Sequence, residues 1–307
     1  MTNQLFHAAD VLRDHLGSIG WGAIAAAGGL HTARLVARTR SWRNILAAAH
    51  PETNVRWRSV FGAYAAGAAV NAVLPARGGD VLKLYLIKHR IEGAAYPTLV
   101  ATLAVDTLFD LVASTALFVW ALQLGVLPDL DVVPRLRSID WSWAGRHPHL
   151  ALALGVAAAV CAVVAALWLR RRLRSFARQL RDGGAILRRP GLYLRRVVVW
   201  QVADWALRLA TIYWLLRAFG LPATIHNSLL VQVTQSLSTV LPLTPGGIGT
   251  EQGLVVYLFA GKAATSAVLS FSVGMKLVLM SVNLALGLTA IAVMLRTLRW
   301  RKAIAAR

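Results

Sequence analysis

The chain has 307 residues, 57% of them hydrophobic, and carries 33 Lys+Arg against 13 Asp+Glu, a formal net charge of +20. This apolar content, above the roughly half-apolar average of soluble domains, excludes a disordered basic tail, which needs low hydrophobicity. Apolar runs of bilayer-crossing length argue against a soluble nucleic-acid-binding domain, and a single cysteine, Cys161, excludes a disulfide framework or a cysteine-rich zinc site.

In chain order, the first residues carry Asp10, Arg13 and Asp14 and lack the cationic start and apolar core of a cleavable signal. Spans of about 20 apolar residues are expected at Leu16–Val36, Pro97–Leu127, Leu150–Leu169, Val197–Leu216 and Ala263–Leu295. Two further apolar stretches are interrupted. Val60–Leu74 runs into Pro75-Ala76-Arg77-Gly78-Gly79-Asp80 and resumes as Val81–Ile91. Ser228–Leu241 runs into Pro242-Leu243-Thr244-Pro245-Gly246-Gly247-Ile248-Gly249-Thr250-Glu251 and resumes as Leu254–Gly261. Both breaks are rich in helix-stopping residues. With no linker or low-complexity tract, residues 1–307 read as one membrane domain.

Charge sets the expected sidedness. The connection 34–58 carries Arg34, Arg38, Arg40, Arg43, Arg56 and Arg58 against Glu52, and 170–196 carries ten arginines against Asp182. The C-terminus is also basic, through Arg296, Arg299, Arg301, Lys302 and Arg307, whereas 128–150 is balanced. The positive-inside rule places the basic segments in the cytoplasm and the balanced loop outside. Only an odd number of crossings then separates 58 from 128, and an even number separates 196 from the C-terminus. The stretches 60–91 and 228–261 are therefore expected as re-entrant hairpins, dipping in from opposite faces, with the N-terminus outside. The two breaks also resemble each other: Val73-Leu74-Pro75 answers Val240-Leu241-Pro242, Gly78-Gly79 answers Gly246-Gly247, and Asp80 and Glu251 open the return limbs. Paired interruptions of this kind point to a midplane site in an inverted-repeat transporter. The expected fold is an all-α polytopic bundle.

The stretches Asn71–Leu86 (NAVLPARGGDVLKLYL) and Leu241–Gly253 (LPLTPGGIGTEQG) resemble the two signatures of the flippase-like family, which includes the transmembrane region of lysylphosphatidylglycerol synthases. The resemblance runs from about Trp21 to Trp300 and implies a lipid-translocating or lipid-handling membrane domain with re-entrant helices. The family usually has a further span ahead of the segment matching Gly20–Trp42, so this version is expected to be shortened or to start upstream. Its next helix commonly carries an acid–Arg pair followed by an Asp; the matching positions here are Asp106, Thr107 and Asp110, with threonine in the arginine's place. No soluble aminoacyltransferase domain follows before Arg307, so the chain is not expected to attach lysine to phosphatidylglycerol itself.

Candidate substrate-binding residues follow from the breaks and from charge inside spans. A helix stopping within the membrane leaves backbone groups that must face protein or a wet cavity. A return limb starting at Asp80 or Glu251 presents a partially positive end to an anionic head group. The break candidates are Asn71, Pro75, Arg77, Gly78, Gly79 and Asp80 in the first hairpin. Those of the second are Pro242, Pro245, Gly246, Gly247, Gly249 and Glu251. Arg77 suits phosphate; the alternative reading is that it snorkels and that the two acids only cap helices. Asp106 and Asp110 lie on one helical face and are expected to hold a proton, pair with Arg77 or form a structural salt bridge. Asp204 and Arg208, at i,i+4, read as a structural pair. Lys276 is expected to pair with a distant acid, Glu251 or Asp110. Trp141, Trp143, Trp200, Trp205 and Trp300 read as interfacial anchors.

The arginine-rich 170–196 segment reads first as a topology determinant, with anionic-lipid attraction as a compatible second role. No nucleotide loop, metal spacing or nucleic-acid reading fold is found, so no cofactor, metal or nucleic-acid partner is expected. The expected function is translocation of an anionic lipid or lipid-linked substrate across the inner membrane. The alternatives are a lipid-modifying enzyme using Asp106 and Asp110 as general acid and base, or a membrane partner of a soluble transferase.

Overall fold

The computed structural model describes residues 20–73, 78–123, 181–240, 250–261 and 263–305. The break residues 74–77 and 241–249, the expected span Leu150–Leu169 and residues 170–180 of the arginine-rich connection lie outside the described residues. Among the described residues every regular element is a helix.

Helix α1 covers Trp21–Ala49. After Gly29 it contains neither glycine nor proline until Pro51, which disfavours helical geometry at His50. The helix therefore continues well beyond Val36, where the first span was expected to end, and Arg34, Arg38, Arg40 and Arg43 belong to it rather than to a loop. Helices α2 (Trp57–Val73) and α3 (Gly78–Lys88) flank the first break. Helix α4 (Tyr96–Gln123) takes Pro97 in its first turn, where no backbone donor is needed. A 3₁₀ turn at Ala185–Arg188 leads to the short α5 (Pro190–Tyr193). A π-helical segment, Leu194–Val198, then runs directly into α6 (Val199–Ala218). Gly220, at φ +68°, ends α6, with Leu221 N–H donating to the Leu216 carbonyl at 2.9 Å. Helices α7 (Ile225–Val240) and α8 (Thr250–Leu258) flank the second break, and α9 covers Thr265–Ala305.

Two described helices are long and apolar enough to cross a membrane, over Tyr96–Ala121 and Thr265–Met294. Their outward faces are apolar: Leu111 is 64% exposed and Leu288 62%. Hydrocarbon solvates such a surface where water would not. Helices α1 and α6 have the length of spans, 29 and 20 residues, but carry charge in their interiors.

The helices pack in an order that fixes relative ends. Antiparallel α1 and α6 are tied along their length. Gly20 N–H donates to the Ala218 carbonyl at 3.0 Å, Arg34 meets Asp204 at 3.0 Å, and Asn44 Nδ2 donates to the Arg196 carbonyl at 2.6 Å. Against α9, α2 places Gly62 beside Met294, then Ala65 and Ala69 beside Gly287 two turns along. After α3, Arg90 Nη2 donates back to the Met294 carbonyl at 3.2 Å. The α2–α3 pair therefore begins and ends at the Met294 end of α9. A cluster of Trp42, Leu46, Val55, Val60, Ile87, Ile91 and Met294 fills that end.

The α7–α8 pair packs at the other end of α9. Leu230, Val231, Val255, Leu258 and Phe259 share a core with Val268, Phe271 and Met275. Trp120, near the end of α4, stacks edge-on to His226 at the start of α7 (5.6 Å between ring centres). Farther along α7, Gln235 Nε2 reaches Met275 Sδ at 3.7 Å. The α2–α3 and α7–α8 helix pairs thus pack on α9 from opposite ends.

Candidate functional site

Three helices converge on Arg38. From α1 its Nε donates to Asp106 Oδ2 of α4 at 2.9 Å, and its Nη2 lies 2.7 Å from Asp110 Oδ2, one turn along. From α6, Asp204 Oδ2 approaches Nη1 at 3.7 Å. The i,i+4 spacing of Asp106 and Asp110 lets both carboxylates face one guanidinium. Asp204 also binds Arg34 at 3.0 Å and Arg208 at 3.4 Å, so three arginines oppose three aspartates. The Asp106 and Asp204 side chains are 2% and 0% exposed and that of Arg38 5%.

Neutral donors complete the network. Ser41 Oγ donates to Asp106 Oδ1 at 3.3 Å, Gln201 Nε2 to the Asp106 carbonyl at 2.9 Å, and Trp205 Nε1 to Asp110 Oδ1 at 2.8 Å. Trp205, expected as an interfacial anchor, is 9% exposed and serves the cluster instead. An isolated charge in this setting would carry a large desolvation cost; charge-assisted bonds from several sides offset it.

The first hairpin closes beside this cluster. Asn71, near the end of α2, reaches across the break: its Oδ1 accepts Gly79 N–H at 2.7 Å and its Nδ2 donates to Asp80 Oδ1 at 3.1 Å. Asn71 thereby satisfies one of the free amides of α3 from the opposing limb. Asp80 also binds Lys83 at 2.8 Å. The Lys83 ammonium lies 4.3 Å from the centre of the Tyr64 ring and within electrostatic range of Asp106. The limbs touch through glycines: a Cβ on Gly79 would overlap the Gly67 carbonyl oxygen. After the second break Glu251 opens α8 and lies 3.7 Å from Lys276 of α9; Glu251 is one of the two partners expected for Lys276.

Of the expected site residues, the structure gathers Asp106, Asp110, Asp204 and Arg208 around Arg38. It joins Asn71, Gly79 and Asp80, with Gly78 opening the same helix, and it pairs Glu251 with Lys276. Pro75, Arg77, Pro242, Pro245, Gly246, Gly247 and Gly249 lie outside the described residues. Sequence reasoning missed Arg34 and Arg38, counted among loop arginines, and Ser41, Gln201 and Trp205. Thr107 carries no charge, and the guanidinium paired with Asp106 and Asp110 is that of Arg38 on α1. The signal available was the uninterrupted helical stretch from Leu30 to Ala49, which carries Arg38 past the expected span boundary.

No solved structure matches the chain. It is similar to a UPF0104 membrane protein of Methanocaldococcus jannaschii, 24% identical over 191 residues that make up 62% of this chain and 78% of that protein. The model of the lysylphosphatidylglycerol synthase TM region matches residues 9–287. With that match spanning most of its length, the chain is a membrane protein belonging to the lysylphosphatidylglycerol synthase transmembrane-region family.

Proposed function

We propose that the protein is an inner-membrane lipid translocator whose site lies between two re-entrant hairpins, α2–α3 and α7–α8, arranged as an inverted repeat. The carrying observation is that the two helix pairs pack on α9 from opposite ends. The return limbs have 11 and 9 residues, about 17 and 14 Å long, against a hydrocarbon core of about 30 Å. A limb of that length ends inside the bilayer. Its interrupted backbone then faces protein or water-accessible space, which is where polar substrate groups can be met.

In this reading the cytoplasmic side carries Asn44, Arg90 and the basic connections, and Gly20 and Ala218 lie outside. The substrate is a lipid or lipid-linked anion, whose polar head meets Arg77, the amide end of α3 and the Glu251–Lys276 pair. The Arg38 cluster holds α1, α4 and α6 as one unit beside the hairpins. The lipid leaves chemically unchanged, moved by alternating exposure of the site to the two sides.

Purified protein reconstituted with labelled phospholipids tests this. Translocation is expected in wild type, with Arg77→Ala and Glu251→Gln each slowing it at least about tenfold, the effect of losing one charged contact worth about 1.4 kcal/mol. Unchanged rates in both variants would remove the site assignment. A chemically altered lipid would replace transport by the lipid-modifying reading, with Asp106 and Asp110 as its acid and base.

A further inference from the structure

Away from the central cluster, a cleft of about 390 Å³ opens between the C-terminal end of α1 and the 3₁₀–α5–π segment that precedes α6. Four arginines line it, Arg43 from α1 and Arg188, Arg189 and Arg196 from the opposite wall, and none of its lining residues is acidic. Among the described residues none of the four forms an ion pair. Arg43 is held in place by its bonds to the Val55 carbonyl at 3.0 Å and Asn44 Oδ1 at 3.2 Å, which leave three of its five N–H donors over. Asn44 ties the two walls together through its 2.6 Å bond to the Arg196 carbonyl. The rest of the lining is largely apolar, with Ala47, Ala48, Ile186 and Leu192 among its residues.

A second cleft at the same end of the bundle, about 320 Å³, is lined by Arg56 and Arg90 but also by Glu52 and Glu92. Its charges cancel; those of the first do not. Guanidiniums lining one cleft match the oxygens of a phosphate group, and apolar lining beside them suits the glycerol and upper acyl carbons of a lipid better than a free ion.

We propose that the Arg43–Arg188–Arg189–Arg196 cleft binds a phosphate-bearing anion, with its apolar lining suited to the head-group region of an anionic phospholipid. The site is separate from the translocation site and does not depend on that reading. Arginines that otherwise serve membrane sidedness are here gathered into a specific pocket, where they hold an annular lipid at the junction of α1 and α6.

Native mass spectrometry of the full chain in detergent tests it, with phosphatidylglycerol and phosphatidylcholine as probes. Wild type is expected to retain phosphatidylglycerol preferentially. Arg188→Gln/Arg189→Gln is expected to weaken that binding about 25-fold, at about fivefold per lost basic residue. Arg56→Gln, in the balanced cleft, should stay within about twofold, which separates local loss from a general loss of charge or fold. A parallel titration with inorganic phosphate identifies the source. Displacement of the lipid at millimolar phosphate, lost in the double variant, supports the site with a soluble anion as occupant; indifference to phosphate supports the lipid. Equal phosphatidylglycerol retention by wild type and the double variant, with no phosphate effect in either, overturns the proposal.

Discussion

Arg38 is the side chain on which the interior charge depends. Without it, Asp106 and Asp110 would face each other and a buried Asp204 with one guanidinium fewer among them. Removing one partner of a buried pair costs roughly 3–5 kcal/mol because the remaining charge is stranded. Arg38→Met is therefore expected to lower stability by about that much, and adding Asp106→Asn should recover part of it, since the two belong to one network. Thermal unfolding in detergent checks this; strictly additive losses would show that the residues act separately. Partial legibility at this scale has a physical cause. Asp204–Arg208 could be read because its partners are one helical turn apart. Arg38 and Asp106 are separated by 68 residues, and composition cannot tell an arginine that fixes sidedness from one that is buried against carboxylates.

At the scale of elements, the two helix interruptions were readable because proline and glycine mark helix ends locally, and the observed helices Trp57–Val73, Gly78–Lys88 and Thr250–Leu258 begin and end around those marks. What could not be read was the closeness of the limbs. Gly79 packs on the Gly67 carbonyl, whereas a Cβ on Gly78 meets nothing within 4 Å among the described residues. Gly79→Ala is accordingly expected to destabilise by about 1–3 kcal/mol, the cost of overpacking, while Gly78→Ala changes stability by less than about 0.5 kcal/mol. Denaturation midpoints of the two variants measure the difference, and equal values would contradict the close approach. The length of α1 escaped reading for a related reason: a run of arginines looks like the end of a span, although the uninterrupted backbone favours continuing the helix to Pro51. The π-helical segment before α6 left no mark in the sequence, since five-residue hydrogen bonding is a response to packing rather than to composition.

For the whole molecule, the all-helical class and membrane character followed from composition, because apolar runs of this length admit few other folds. The expected sidedness rests on charge counting alone, and it yields a direct test. With Cys161 replaced, Glu92→Cys, beyond the first hairpin, is expected to react with membrane-impermeant reagents from the cytoplasmic side alone. Thr224→Cys, ahead of the second hairpin, should react from the outside alone. Labelling of intact cells against inverted vesicles separates the cases; Glu92→Cys reacting from outside would turn the first hairpin into a crossing.

Three guanidiniums and three carboxylates, Arg34, Arg38 and Arg208 with Asp106, Asp110 and Asp204, sum to zero. A transmembrane voltage acts on each elementary charge with about 2.3 kcal/mol per 100 mV, so the pushes and pulls on this group cancel when it shifts as a body. The joint between α1, α4 and α6 can rock without drawing current and without being held to one side by the resting potential. A variant that loses any one of the three carboxylates becomes a voltage-biased hinge.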